Sequence, residues 1–326
     1  MTHRHSPTPA SLALLVTAAA GFATAGEPRQ VVAFAARVET RPVVDGRLDE
    51  PVWAQAPEAG PFLCIYDNSR TAEPRTGFRV VFDRGNVYFG IRAVETEPFP
   101  APPATPPPRD QWPSGASLEI FLDVTHDRSD FIQLAAGLAA GEFDQRQTDV
   151  GWNGSWTVAR TPTDGGWTME FAIPFADLGG AAPEPGSVWG LNVCRNRPGG
   201  LQGSSTWAPV GGNFHNPGRF GLLIFGSVQD WWQRTRIVLG QESHRLRQAL
   251  AALPAATDLN GRLAAADQLL AAAPETVPPA AAAGSGFLGF YGQADAWARR
   301  YREIADELEV LTALVPARQR QAGPPR

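Results

Sequence analysis

A mainly β chain, an antiparallel β-sandwich followed by a small α-helical C-terminal region, is the fold class this sequence predicts. Three observations carry it. From Val31 to Gly226 apolar and polar residues alternate in short runs, with turn residues roughly every 8 to 12 positions, which is the spacing of a sandwich. After Gly226 the apolar period lengthens to the spacing of helices. The tryptophans, 10 in all, fall mostly inside or beside the strand runs, as the framework of a packed core would.

The segments follow in order. His3, Arg4 and His5 give a basic start, Leu12 to Ala20 a short apolar core, and Ala23-Thr24-Ala25 a small-x-small cleavage site. Residues 1–25 therefore read as a signal peptide, too short to span a bilayer, with export to periplasm or medium. Pro51 in a first turn after Asp49 predicts a short helix that turns Trp53 inward. Phe78, Val80 and Phe82, then Val87, Phe89, Ile91 and Ala93, alternate on either side of Asp83-Arg84-Gly85-Asn86 and predict a β-hairpin. Phe99 to Pro108 is too proline-rich for a central strand and reads as an exposed loop leading to Trp112. Leu118, Ile120 and Leu122 alternate with Glu119, Phe121 and Asp123; Trp167, Met169, Phe171 and Ile173 do the same after an Asp164-Gly165-Gly166 turn. The sandwich is thus expected over 31–226.

A helical region is expected over 230–315. Asp230 to Leu253 and Thr257 to Ala272 read as helices, and Trp297, Tyr301, Ile304, Leu308, Leu311 and Val315 form one apolar seam on a third. Residues 316–326 read as a disordered tail. The helices either pack among themselves or dock a partner or a second copy.

Composition narrows the chemistry. A net charge of -5 leaves no electrostatic footprint for nucleic acid. The chain has no lysine, which removes Schiff-base and phosphate-loop lysine chemistry. Cys64 and Cys194 could bridge in an oxidising compartment or remain as buried thiols. G-x-S-x-G, H-E-x-x-H and Gly-rich phosphate loops are absent. Glu119 and Glu170 lie on predicted strands with no sign that they converge as a glycosidase pair would.

Six blocks stand in fixed order: VVDGRLDEPVW (Val43–Trp53), SLEIFLD (Ser117–Asp123), GWTMEFAIPF (Gly166–Phe175), WGLNVCRNR (Trp189–Arg197), STWAPV (Ser205–Val210) and FHNPGRFG (Phe214–Gly221). In this order they resemble the family 9 carbohydrate-binding modules, in the broad CBM9-like, DOMON-related sense. The resemblance implies a non-catalytic, exported carbohydrate-binding protein that serves carbohydrate catabolism beside glycoside hydrolases. It makes Trp53, Trp167, Trp189 and Trp207 framework residues. It implies that Trp112 stacks on a sugar ring and that Glu119 and Gln133 bond its hydroxyls. Asn192 and Arg195 would face the same site, and Phe214 stands where a second stacking ring, usually tryptophan, is expected. Gly115 and Ala116 replace a pair of aspartates common in the family. Calcium accompanies some members, with Asp123, Asp127, Asp130, Asp144 and Asp149 as its candidates here by composition. A haem held by Met169 with His126 or His215, as in DOMON relatives, competes with Met169 as plain core filling. The alternative function is a scaffold whose C-terminal helices dock a partner.

Overall fold

The computed structural model describes residues 31–95, 109–139, 141–197, 203–251, 257–277, 289–294 and 296–307. The signal peptide, the Phe99–Pro108 stretch, the seam residues Leu308, Leu311 and Val315, and the 316–326 tail lie outside them. Two compact units divide the chain between Ser227 and Val228.

The first unit contains β1 (Val32–Arg37), β2 (Leu63–Cys64), β3 (Asp67–Thr71), β4 (Thr76–Phe82), β5 (Asn86–Val94), β6 (Ser117–Asp123) and β7 (Ile132–Gly137). It continues with β8 (Glu142–Arg146), β9 (Thr157–Thr163), β10 (Gly166–Pro174), β11 (Val188–Asn196), β12 (Ser205–Thr206) and β13 (Gly221–Phe225). A hydrogen-bonded ribbon runs β9-β10-β5-β4-β1-β13-β11-β6-β7-β8, and β12, β2 and β3 continue it along the β13 edge of β11. The predicted hairpin is present, with Phe78 opposite Ile91 and Phe82 opposite Val87.

Pairing is antiparallel except at β1, which lies parallel to both β4 and β13. That strand joins the two arms of the ribbon. The arms face each other across one core. Phe78 and Phe82 of β4, Phe89 and Ile91 of β5, and Trp167, Met169 and Phe171 of β10 share a cluster with Leu118, Ile120 and Leu122 of β6 and with Leu191 and Val193 of β11. Each large apolar side chain buried this way contributes about 1.5–3 kcal/mol. Met169, at 0% exposure, is core filling.

The outer face of the β4-β5-β10 arm is closed by the Val43–Trp53 block. A 3-10 turn over Pro51–Gln55, with Pro51 in its first positions, drops Trp53 onto Val81 and Tyr88. Its indole Nε1 donates to Glu170 Oε1 at 3.0 Å, and Glu170 Oε2 accepts the backbone N–H groups of Asp45 and Gly46 at 2.9 and 2.8 Å. Gly90, in the middle of β5, leaves the space that the indole and Leu48 occupy; a Cβ there would stand 2.6 Å from Leu48 and 2.9 Å from Trp53.

Cys64 and Cys194 are free thiols. β12 lies between their strands, since Ser205 pairs with Cys64 and Thr206 with Cys194. At about 4.8 Å per strand their Cα atoms stand roughly 10 Å apart, beyond the ~7 Å reach of a disulfide.

In the second unit α1 (Val228–Ala251) and α2 (Thr257–Ala272) are joined by helical residues 289–294 and 296–307. Leu239, Leu246 and Leu250 pack on Leu259, Leu263 and Ala266 and on the seam residues Tyr301 and Ile304. Trp231 stacks on Tyr291, and Trp232 meets Phe290 edge-on. Among the described residues no helix is long and apolar enough to cross a membrane.

Candidate functional site

Strand alternation sets which side chains share the outer face of the β11-β6-β7-β8 arm. Leu118, Ile120 and Leu122 point into the core, so Glu119 and Phe121 point out. Register carries this across the sheet: Glu119 lies opposite Cys194 and Ala135, Phe121 opposite Asn192 and Gln133, Gln133 opposite Gln145, and Ala135 opposite Phe143. The face therefore holds Asn192, Asn196, Glu119, Gln133, Gln145 and Phe143.

Trp112 stands at its β8 end. Its ring meets Phe143 edge-on at 5.3 Å and remains 55% exposed. Two contacts fix that segment. Gln111 N donates to Glu142 O at 3.0 Å, and Pro113 lies against Gly141. Gly141 has φ +88, and a Cβ there would stand 2.7 Å from Pro113 Cα, so this position requires glycine twice over.

Behind Trp112 a polar chain crosses the strands. Gln145 Nε2 donates to Gln133 Oε1 at 2.8 Å, Gln133 Nε2 donates to Glu119 Oε2 at 2.6 Å, and Asn196 Nδ2 donates to Glu119 Oε1 at 2.5 Å. Glu119 is only 2% exposed, and its burial pushes the carboxyl above the ordinary glutamate range, against the two amide donors.

The segment after β12 covers the rest of the face. Asn192, fully buried, anchors it by accepting from Ala208 N and Thr206 Oγ1, both at 2.9 Å. Phe214 lies underneath, packed on Phe121 and buried in the core cluster. The exposed ring is that of the next residue, His215, whose Nε2 is 3.0 Å from Gln133 Oε1. Tyr66, 60% exposed, follows β2 and stands over Gly212 of the same covering segment.

Arg195 turns the other way. It is 0% exposed inside the sandwich, donating to Thr76 Oγ1 at 3.0 Å, to Val94 O at 2.8 Å and to Glu95 Oε2 at 2.9 Å. Of the sequence-derived candidates, the structure thus gathers Trp112, Gln133 and Glu119 on one face. It uses Asn192 as an anchor beneath the covering segment, sinks Phe214 below the surface, and places Arg195 on the opposite side of β11. Sequence reading passed over Gln145 and Tyr66, and named His215 only as a possible haem ligand. Alternation with Phe143 and Asp144 could have placed Gln145 on the face; nothing in a loop sequence tells which of Phe214 and His215 is exposed.

The calcium candidates do not assemble. Asp144 Oδ2 accepts from Arg109, Gly154 N and Trp156 Nε1, and Asp123 accepts from Thr125, Asp127 N and Arg128 N. Among the described residues no group of three or more His, Cys, Asp or Glu side chains could hold a metal ion.

A curled β-sheet domain with an exposed indole beside a hydrogen-bonding face rich in amides belongs to the class of binding modules. The chain is a member of the family described as carbohydrate family 9 binding domain-like, whose model matches residues 44–227. Solved structures of similar fold include a carbohydrate-binding module of family 9 from Caldicellulosiruptor kristjanssonii in complex with cellotriose. It is 19% identical, with a TM-score of 0.43 over 60% of this chain and 94% of that one. The same organism's module in complex with glucose is also 19% identical, with a TM-score of 0.44 over 60% of this chain and 95% of that one. No curated protein matches the chain.

Proposed function

We propose that the protein binds neutral carbohydrate without acting on it, on the outer face of the β11-β6-β7-β8 arm. One observation carries the reading: Trp112 holds its indole 55% exposed at the edge of a face whose polar groups are amides, an imidazole and the buried Glu119 carboxyl that two of the amides hold. The apolar C–H side of a pyranose matches an indole, and its hydroxyls match convergent neutral donors and acceptors. Gln145 is a half-buried amide two residues along β8 from Phe143, the ring that Trp112 meets, and His215 and Tyr66 supply further rings. Glu119 has both oxygens held by amide groups, which suits positioning rather than proton transfer. Export, from the signal-peptide reading of residues 1–25, puts this binding in the periplasm or medium, where it would serve carbohydrate catabolism beside glycoside hydrolases.

Titration of the full chain with glucose and with cellotriose, followed by tryptophan fluorescence and calorimetry, tests the proposal. Wild type is expected to bind at least one of them. Trp112→Ala should weaken binding by about tenfold or more, as loss of an aromatic anchor does, and should move unfolding stability by less than about 1 kcal/mol because the ring is exposed. A wild-type chain that binds neither sugar, or an unaffected Trp112→Ala variant, would remove the reading.

A further inference from the structure

The hydrogen bonds behind the face have a direction, and that direction ends on His215. Asn196 accepts the Ser204 hydroxyl on its Oδ1 at 2.9 Å, so its amide nitrogen faces Ser117 Oγ and Glu119. Glu119 receives one amide N–H on each oxygen and can only accept in that arrangement. Gln133 must therefore turn its nitrogen to Glu119 and its oxygen away. That oxygen faces Gln145 Nε2 and His215 Nε2, at 2.8 and 3.0 Å. A carbonyl oxygen has no hydrogen to give, so the proton of this contact sits on His215 Nε2.

A neutral imidazole carries one N–H, and its other nitrogen is then an acceptor. Burial holds the His215 pKa below the usual histidine range, which keeps the ring neutral at neutral pH. The ring has little freedom to turn. It meets Phe121 at 5.3 Å and 85°, and Phe131 at 5.5 Å and 60°. Its backbone N–H is held by Asn213 Oδ1 at 3.0 Å. Among the described residues Nδ1 makes no hydrogen bond, and the residue is exposed.

We propose that His215, locked as its Nε2–H tautomer by Gln133, contacts the ligand and sets specificity by offering Nδ1 as the acceptor for one saccharide hydroxyl. The proposal rests on the carbohydrate reading for the ligand, and on the protein alone for the lock. Gln133 and Glu119 are positioning residues: they decide which ring atom carries the lone pair. The ligand class is a neutral sugar that donates from a hydroxyl at this point, and an analogue with that hydroxyl removed or methylated loses the partner.

Nitrogen-15 NMR of the full chain near neutral pH reads the tautomer with no sugar present. The chain has 5 histidines, and the spectrum of His215→Phe assigns the signal. Wild type should show the Nε2–H form. Gln133→Lys puts a donor against Nε2, with Glu119 beside it as counter-charge, and should invert the ring to Nδ1–H. Glucose and cellotriose titrations then read the contact. His215→Phe keeps the packing on Phe121 and Phe131 but has no ring nitrogen, and should bind about five- to tenfold more weakly, the effect of one hydrogen bond. An Nδ1–H tautomer in wild type overturns the lock. His215→Phe binding as tightly as wild type, while Trp112→Ala has lost binding, overturns the contact and leaves the carbohydrate reading standing. If wild type binds neither sugar, that reading falls together with the Nδ1 contact, and the spectrum still decides the lock. Should Gln133→Lys fail to fold, the wild-type spectrum and His215→Phe carry the test.

Discussion

Glu170 ties a loop to a strand 124 residues away in sequence, through the N–H groups of Asp45 and Gly46 and the Trp53 indole. The sequence shows only a carboxylate in an alternating strand, because none of these partners is near it in the chain. Burial raises its pKa from 4.5 to about 7, against the donors that favour the ionised form. The folded state then holds the proton more tightly than the unfolded one. The stability this gives is complete below about pH 4.5 and is lost as pH rises through about 7. His126 has the opposite sign: burial lowers its pKa from 6.5 to about 4, so its contribution is complete above about pH 6.5 and lost as pH falls through about 4. The two slopes oppose each other in wild type. Glu170→Gln removes one, so the variant should gain stability relative to wild type between about pH 4.5 and 7. Urea midpoints across that range check it; a constant difference would show that Glu170 does not titrate there.

At the scale of elements, the proposed binding face depends on how the Trp112 segment sits on the β7–β8 hairpin. Gly141 begins that contact, and a side chain there would meet the Pro113 backbone at a left-handed φ. Gly141→Ala should displace Trp112 and lower sugar affinity about as far as Trp112→Ala does, while near-ultraviolet circular dichroism of the buried tryptophans stays unchanged. Loss of that core signal would mean that the glycine holds the fold rather than the segment. Strands, hairpins and helix spans were largely legible in the sequence because side-chain periodicity is a local property. The helices observed at Val228–Ala251 and Thr257–Ala272 lie close to those expected. The covering segment after β12 was not legible in this way. It has no period, and whether Phe214 or His215 faces outward is settled by Phe121 on β6 and Phe131 just before β7.

At the scale of the whole β unit, Arg195 bridges the two arms. Its guanidinium leaves β11 to bond Thr76, Val94 and Glu95, and Arg197 holds the same Glu95 carboxylate. Truncating one partner of a buried ion pair leaves charge and carbonyl groups unmet, at a cost of about 3–5 kcal/mol. Arg195→Ala should lower the unfolding free energy by that order, with sugar affinity of the folded fraction unchanged. Weakened binding without lost stability would instead put Arg195 in the ligand site. A β unit with buried tryptophans, a helical unit after it, and Trp112 in a loop ahead of a strand bearing Glu119 could all be read from the chain, because alternation, turn residues and block order are written in it. The packing of the strands against one another is what leaves Trp112 exposed, points Arg195 inward, seals Glu119 with Gln133 and Asn196, sets His215 outside Phe214, and keeps the two thiols apart. Each of those outcomes depends on which strands become neighbours. Neighbours are chosen by burying the common core, a property of the folded whole that no local pattern encodes.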